Sequence, residues 1–277
     1  MINFEVLVVT ACHNRARTTE VFAKLLLAQT HPNWRMVLVD DGSTDDSVVR
    51  MRQLLGDRLV VVRGDGALFW GGGIEAGLHA AGALAATAGH RCAVAVMNDD
   101  VEFSPALLQK QVELLADSPP KTCLVTRHIE NPGKRNYIGF SFDQKTLKTR
   151  DEADVRDCHC FTTRSLCFLY EPASYPTMNG RRYPHYWSDL DFTLRMFKSG
   201  WHFAEVPGEQ ILYVNQFREG RLYRGLAGWA RLMSWRCPTN PVAVARFIAE
   251  HAAPGRKSVL QLKAWAKVPI KLITGVH

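Results

Sequence analysis

The chain has 277 residues, 47% of them hydrophobic and 22% charged, with a formal net charge of +7. That balance excludes a disordered or collagen-like chain and suits one large globular domain, or one domain with an extension. No apolar stretch approaches the roughly 20 residues that span a bilayer, and the opening "INFEVLVVT" reads as a strand and not as a secretory leader, so the seven cysteines are expected as reduced thiols in a cytoplasm.

"EVLVVTA" predicts a first strand, and "TTEVFAKLLLAQ" follows it with Val21, Phe22, Leu25 and Leu26 at helical spacing. "RMVLVD" is a second strand, "DDSVVRMRQLL" a helix and "RLVVVRG" a third strand. A small-residue helix, "IEAGLHAAGALAATA", precedes the fourth strand, "CAVAVMND". "SPALLQKQVELLAD" is a helix and "TCLVTR" a fifth strand. Near-continuous apolar strands between helices predict an α/β fold, a mostly parallel sheet covered on both faces. Such sheets bind ligands at the carboxyl ends of their strands. The residues closing the strands are His13 and Asn14, then Asp40 and Asp41, then Asp65, then Asn98, Asp99 and Asp100, so these polar groups should gather on one rim. Side by side, Asp40 and Asp41 call for a cation or for hydrogen-bond donors.

From about residue 133 the pattern changes. "YIGFSFDQKTLKTRD" reads as a hairpin, "CFTTRSLCFLY" as a strand, and "YPTMNGRRYPHYWSDLDFTLRMFKSGW" as a loop feeding a helix that ends at Gly200. Ser188 is the expected N-cap, with Asp191 its capping-box partner. "HFAEVP" and "QILYVNQ" are expected as two short strands. The C-x-C of "DCHC" has no second pair at ligand spacing, and packing explains it better than zinc.

Carboxylates just past a buried strand, as in "AVAVMNDDVEF", are hard oxygen ligands suited to Mg²⁺ or Mn²⁺ shared with substrate phosphates. In "GDGALFWGGGIEAGL" the glycines from Gly71 to Gly73 precede a helix, where exposed backbone N–H groups would favour a phosphate. The spacing matches neither a G-x-G-x-x-G site nor a P-loop. Trp70 either stacks on a sugar or plugs the core.

Four stretches in this order, "VTACHNR", "VDDGSTDDS", "MNDDV" and "YWSDLDFTLRMFKSGW", resemble family 2 glycosyltransferases over roughly residues 4 to 215. The resemblance implies a Rossmann-like GT-A fold and transfer of a sugar from a nucleotide diphosphate, dTDP- or UDP-linked, with inversion. The "GDGALFWGGGIEAG" variant is similar to a branch that builds bacterial surface polysaccharides, rhamnosyltransferases among them, which implies a glycan or lipid-linked glycan acceptor. The resemblance places Ala11 and Asn14 by the nucleotide base, and Asp41 on the base with Asp40 beside it. Asp65, Trp70, Gly71 and Gly72 fall on the same donor side. Asp100 matches the metal ligand, and Asp99 the residue between metal and ribose or donor sugar. Asp189 matches the catalytic base. Tyr186 and Trp187 border it as an acceptor platform, and Asp191 is either a further acceptor contact or a structural partner. Three positions depart from the family pattern: Ser188 and Asn98 stand where acids are usual, and Asn215 stands where a histidine often ligates the metal. Implied boundaries are a catalytic domain over 1–215, divided near 132 into donor and acceptor halves, and an extension over 216–277.

The positive charge belongs to that extension. From residue 216 onward eleven basic residues face two acids, so the first 215 residues sum to −2. Lysines and arginines among Trp229, Trp235 and Trp265 suit an interfacial helix on an anionic membrane, which would place the protein at the inner face of the cell membrane. The alternative is a helical extension that packs on the catalytic domain. Nucleic acid is disfavoured, since no recognised binding module accompanies the charge. Rival functions are a sugar-1-phosphate nucleotidyltransferase, which would want glycines in "TACHNRART", and a non-catalytic nucleotide-sugar binder in an assembly.

Overall fold

A computed structural model describes residues 4–130, 135–213, 225–234 and 237–274. Strands β1 (Glu5–Cys12), β2 (Trp34–Asp40), β3 (Leu59–Arg63) and β4 (Cys92–Met97) run parallel in the order β3-β2-β1-β4. Helices α1 (Ala16–Leu27), α2 (Ser47–Leu55) and α3 (Phe69–Thr87) make the crossovers. Every residue of β1 is buried because helices cover both faces. Val6 and Val8 face Phe22 and Leu26 of α1, whereas Leu7 and Val9 share a cluster with Ile74 and Leu78 of α3. This alternation is the two-residue period of a strand. The glycines of α3 let it lie directly on the sheet. A Cβ on Gly73 would come within 2.8 Å of Ala11 Cβ, and one on Gly77 within 2.5 Å of Val9 Cγ1.

Beyond β4 the sheet turns mixed. After β5 (Val101–Glu102) and α4 (Leu107–Ala116), β6 (Thr122–Glu130) joins the sheet through β10 (Ser165–Leu169), which is antiparallel to both β4 and β6. That reversal matters for the site. Ser165 pairs with Met97 at the carboxyl end of β4, so Thr162, Thr163 and Arg164 arrive at the same rim as the strand-end aspartates. The two strands expected near residues 202–216 are one, β11 (His202–Tyr213), whose register with β6 shifts between Glu205 and Gln210 around Gly208 at φ +70°. Strand β7 (Arg135–Tyr137) pairs with β6, and β8 (Gly139–Asp143) with β9 (Lys148–Glu152) forms the predicted hairpin.

Helix α5 (Ser188–Lys198) carries the motif read as "SDLD". Its cap is Trp187, in the left-handed region at φ +74°, while Ser188 donates its hydroxyl to the His185 carbonyl at 2.7 Å. The capping box expected of Ser188 and Asp191 is therefore not formed: Asp191 is fully buried and bonds Arg195 Nε at 2.9 Å.

Helices α6 (Gly225–Met233), α7 (Pro241–His251) and α8 (Lys257–Thr274) complete the described chain. Asn240 caps α7 through Val242 N and Ala243 N, with Pro241 in its first turn. Phe247 of α7 packs among Phe142, Tyr183 and Trp187, at ring distances of 5.8, 6.2 and 4.7 Å. Part of the basic extension is thus built into the fold. Asn215, Arg218, Arg221, Arg224, Trp235 and Arg236 lie outside the described residues. No described helix is long and apolar enough to cross a membrane.

Candidate active site

A cavity of about 490 Å³ opens at the carboxyl ends of the parallel strands. Asp41 from the end of β2, Asp100 from the end of β4 and Asp189 from the start of α5 all line it. Ala11, Trp70 and Tyr186 are also on its walls. A second, largely apolar cavity of about 260 Å³ lies beside it, lined by Phe140, Trp187, Leu190 and Pro238 among others. The two share Thr162, Tyr186 and Asp189.

The adjacent aspartates at 40 and 41 have separate partners. Asp40 is fully buried and paired with Arg63 of β3, and it accepts from Ser43 N at 3.2 Å. Asp41 accepts from three loop amides: Gly66 N at 2.8 Å and Leu68 N at 3.2 Å on Oδ1, and Phe69 N at 2.9 Å on Oδ2. These bonds fix the loop that enters α3 and place Phe69, at φ +55°, and Trp70 on the cavity wall. His13 Nδ1 lies 2.6 Å from the Asp41 carbonyl, which can only accept, so Nδ1 carries the proton.

At the end of β4 two carboxylates converge on one cation. Arg15 Nη2 stands 2.9 Å from Asp100 Oδ2 and 3.4 Å from Asp99 Oδ1. Thr19 holds the other Asp99 oxygen at 2.9 Å. Asp100 lines the cavity, whereas Asp99 is turned inward, and burial raises its pKa to about 6 despite the opposing pull of Arg15. A pair of hard oxygens that already draws a cation fits Mg²⁺ or Mn²⁺, with Asp100 as the donor nearest the cavity. Two other clusters have metal-like spacing, Glu5–His90–Cys92 and Asp191–Glu250–His251. Protein cations sit on them, Arg35 on Glu5, Arg195 on Asp191 and Arg182 on Glu250. Cys158 and Cys160 are buried and their thiols shifted upward by that burial, which disfavours the thiolate a metal requires.

Asp189 is half-buried, and its Oδ1 accepts from Leu190 N at 2.9 Å. Burial raises its pKa above the ordinary carboxylate value, with the Leu190 amide and the Arg164 charge pulling the other way. A carboxylate so placed is a stronger proton acceptor than a solvated one.

Several expected contacts are used elsewhere. Gly71 N donates to the Pro184 carbonyl at 2.6 Å and Gly72 N to the Leu68 carbonyl at 3.1 Å, so neither glycine offers an amide to a phosphate. Gly71 is needed for close packing, since a Cβ there would strike the Tyr183 carbonyl, and Gly180 packs as closely on Gly72, where its own Cβ would strike the backbone. Asn14 is exposed, and its Oδ1 accepts from Thr44 N at 2.8 Å and Asp45 N at 3.3 Å, stapling two loops outside the cavity. Asp65 is exposed and bonds Ala67 N at 2.9 Å. Trp70 packs against the core and also lines the cavity, its Nε1 donating to Thr163 Oγ1 at 3.2 Å. Asp191 serves the protein interior and reaches neither cavity.

The profile of glycosyl transferase family 2 matches residues 7–175. The chain belongs to that family. No curated protein sequence matches it. Among solved structures, a mannosyltransferase from Pyrobaculum calidifontis in complex with GDP-Man and Mn²⁺ aligns with a TM-score of 0.58 at 16% identity, covering 99% of this chain and 74% of that one. TarS residues 1–349 from S. aureus, in complex with UDP-GlcNAc, aligns at 0.57 and 11% identity, covering 98% and 74%. A mycobacterial protein aligns at 0.52 and 15% identity, covering 91% and 76%. At these identities the likeness is one of fold, and it extends the glycosyltransferase architecture over nearly the whole chain.

Residues to which the sequence motifs gave no role also line the cavity. Arg15 and Arg164 add two cationic side chains to its wall. Arg164 pairs with Glu130, bonds Tyr137 Oη at 3.0 Å, and lies 3.9 Å over the Tyr213 ring. An arginine directly before a buried strand, as in "TTRSLCFL", was the available signal.

Proposed function

We propose that this glycosyltransferase moves a sugar from a dTDP- or UDP-linked donor to a hydroxyl of a glycan or lipid-linked glycan, with inversion, in bacterial surface-polysaccharide synthesis such as O-antigen, capsule or cell wall. The observation that carries the reading is the position of Asp189 on the wall common to the two cavities. The larger, with acids and two arginines, suits a sugar nucleotide. The smaller, with Phe140, Tyr186, Trp187 and Leu190, suits the face of an acceptor sugar. In a single displacement the acceptor hydroxyl attacks the anomeric carbon from the side opposite the diphosphate. Asp189 takes the hydroxyl proton, and one base suffices. Arg164 supplies positive charge on the cavity wall, where the leaving diphosphate gains negative charge.

Asp100, with Asp99 behind it, would hold Mg²⁺ or Mn²⁺, which when bound neutralises the leaving diphosphate as a Lewis acid. The mannosyltransferase with Mn²⁺ and TarS with UDP-GlcNAc support both the metal and the donor class. In this reading residues 1–215 form the catalytic unit, and the extension adds the Pro238 wall to the acceptor cavity and a basic outer face for anionic membrane. The test is a thermal-shift screen of UDP-, dTDP- and GDP-sugars with and without Mn²⁺, followed by donor hydrolysis and transfer. Stabilisation by a sugar nucleotide together with metal-stimulated hydrolysis is expected. Binding without turnover on any donor would favour a non-catalytic binder.

A further inference from the structure

Arg15 is the residue before α1, and the first turn of that helix fixes where it points. Its carbonyl accepts from Thr19 N at 3.0 Å, and the Thr19 hydroxyl sits 3.1 Å from the same carbonyl and 2.9 Å from Asp99 Oδ2. The backbone of Arg15 and the side chain of Asp99 are thus joined through one threonine. The guanidinium then spans Asp99 and Asp100, whose side chains are only 2% and 7% exposed, while the arginine side chain itself is 36% exposed and lines the cavity. Two nearly buried carboxylates at adjacent positions would repel, and Arg15 is the cation that offsets one of the two charges and holds the pair together.

A divalent ion on the same carboxylate oxygens would face the guanidinium at contact distance, so the two cations exclude each other there. We propose that Arg15 is the resident counter-ion of the Asp99–Asp100 pair and competes with the divalent metal for it. The pair is half-compensated without metal, and metal enters by displacing the guanidinium. The displaced guanidinium, still tethered at the cavity, becomes a second cation for the donor diphosphate. This inference rests on the reading of Asp100 as the metal-side aspartate.

The test titrates Mn²⁺ into the full chain without nucleotide, following free Mn²⁺ by electron paramagnetic resonance. Arg15→Gln keeps the bulk and removes the charge, and Arg15→Lys keeps the charge without the fork; circular dichroism and melting temperature confirm folding. Arg15→Gln is expected to bind Mn²⁺ about tenfold more tightly than the parent chain, the low end of what removing an adjacent charge does to a neighbouring carboxylate. Arg15→Lys should fall between them. UDP binding measured calorimetrically at saturating Mn²⁺, where the displaced guanidinium is free to reach the diphosphate, should weaken about tenfold in Arg15→Gln, the low end for one charge-assisted hydrogen bond. Should Arg15→Gln misfold, Arg15→Lys alone decides, since competition requires its Mn²⁺ affinity to exceed that of the parent. Equal or weaker Mn²⁺ binding in the folded variants overturns the proposal. Asp100→Asn separates the two levels: if it abolishes Mn²⁺ binding while the Arg15 variants leave it unchanged, only the competition fails. If it leaves Mn²⁺ binding intact, the metal assignment itself fails.

Discussion

His251 Nε2 lies 2.8 Å from Asp191 Oδ1, and both side chains are sealed from solvent. Asp191 is in the first turn of the helix that carries Asp189, and His251 is the last residue of α7 in the basic extension. The second Asp191 oxygen is held by Arg195, and Lys198 Nζ stands 3.2 Å from His251 Nδ1. The extension is therefore latched to the helix of the candidate base. His251→Ala leaves a buried carboxylate with one partner fewer, a loss of about 1–3 kcal/mol. A urea melt should show it as a lower midpoint with an unchanged slope. Transfer should fall as α5 loosens, while sugar-nucleotide binding holds.

Asp189 gives the pH dependence a definite sign. Its folded-state pKa lies above the value for an unfolded chain, because burial disfavours the charge. The folded state thus gains most from this group when it is protonated, and that contribution is lost as pH rises through the folded pKa. Asp189→Asn should accordingly abolish transfer, keep donor binding and leave the melting temperature at neutral pH unchanged or raised. In the parent chain, kcat/KM should rise with pH along a limb positioned above the ordinary carboxylate range. Wild-type turnover by Asp189→Asn would remove the residue from the base role.

Gly71 tests whether the glycine run is a packing device. A methyl group there would meet the Tyr183 carbonyl and would approach Ser188 Cβ to 3.0 Å and the Pro184 carbonyl to 3.1 Å. Those atoms belong to the turn that leads into α5. Gly71→Ala is expected to cost about 1–3 kcal/mol by overpacking and to lower transfer, although no charged group changes. Stability equal to the parent would show that the turn can yield, and would return the glycine to the donor side.

The parallel half of the sheet was legible because its strands are buried on both faces and read as unbroken apolar runs between periodic helices. The rim of aspartates followed from the same pattern: Asp41, Asp100 and Asp189 do share one cavity. Orientation within the rim was not legible. Asp40 and Asp99 differ from Asp41 and Asp100 by one residue each, and which of a pair turns inward depends on Arg63 and Thr19, which are distant in sequence. Likewise "FWGGG" looks the same whether its amides face a phosphate or a carbonyl, and the Pro184 carbonyl that takes Gly71 N comes from more than a hundred residues away. Arg164 reached the site only because β10 runs antiparallel, a reversal its composition does not announce.

Helix α8 carries two different faces. Val268 is buried with Leu232 of α6 and Cys237, and this side holds the helix to the fold. On another side Val259, Leu262 and Trp265 are exposed, Leu262 to 72%, and Lys263 and Lys267, one turn apart, flank them. Trp229 of α6 is exposed as well. Exposed apolar side chains bordered by cations suit insertion at the headgroup boundary of an anionic membrane, each fully buried Leu-sized side chain contributing about 1.5–3 kcal/mol. The chain should therefore float with vesicles containing phosphatidylglycerol at low salt and be released at high salt. Paired Leu262→Ala and Trp265→Ala changes should abolish flotation even at low salt, and Lys263→Glu with Lys267→Glu should weaken it most at low salt, where repulsion from the anionic surface is unscreened. Turnover of a soluble acceptor should survive all four changes, because none of these side chains lines either cavity. Failure to float at low salt would leave this face of α8 without a membrane role.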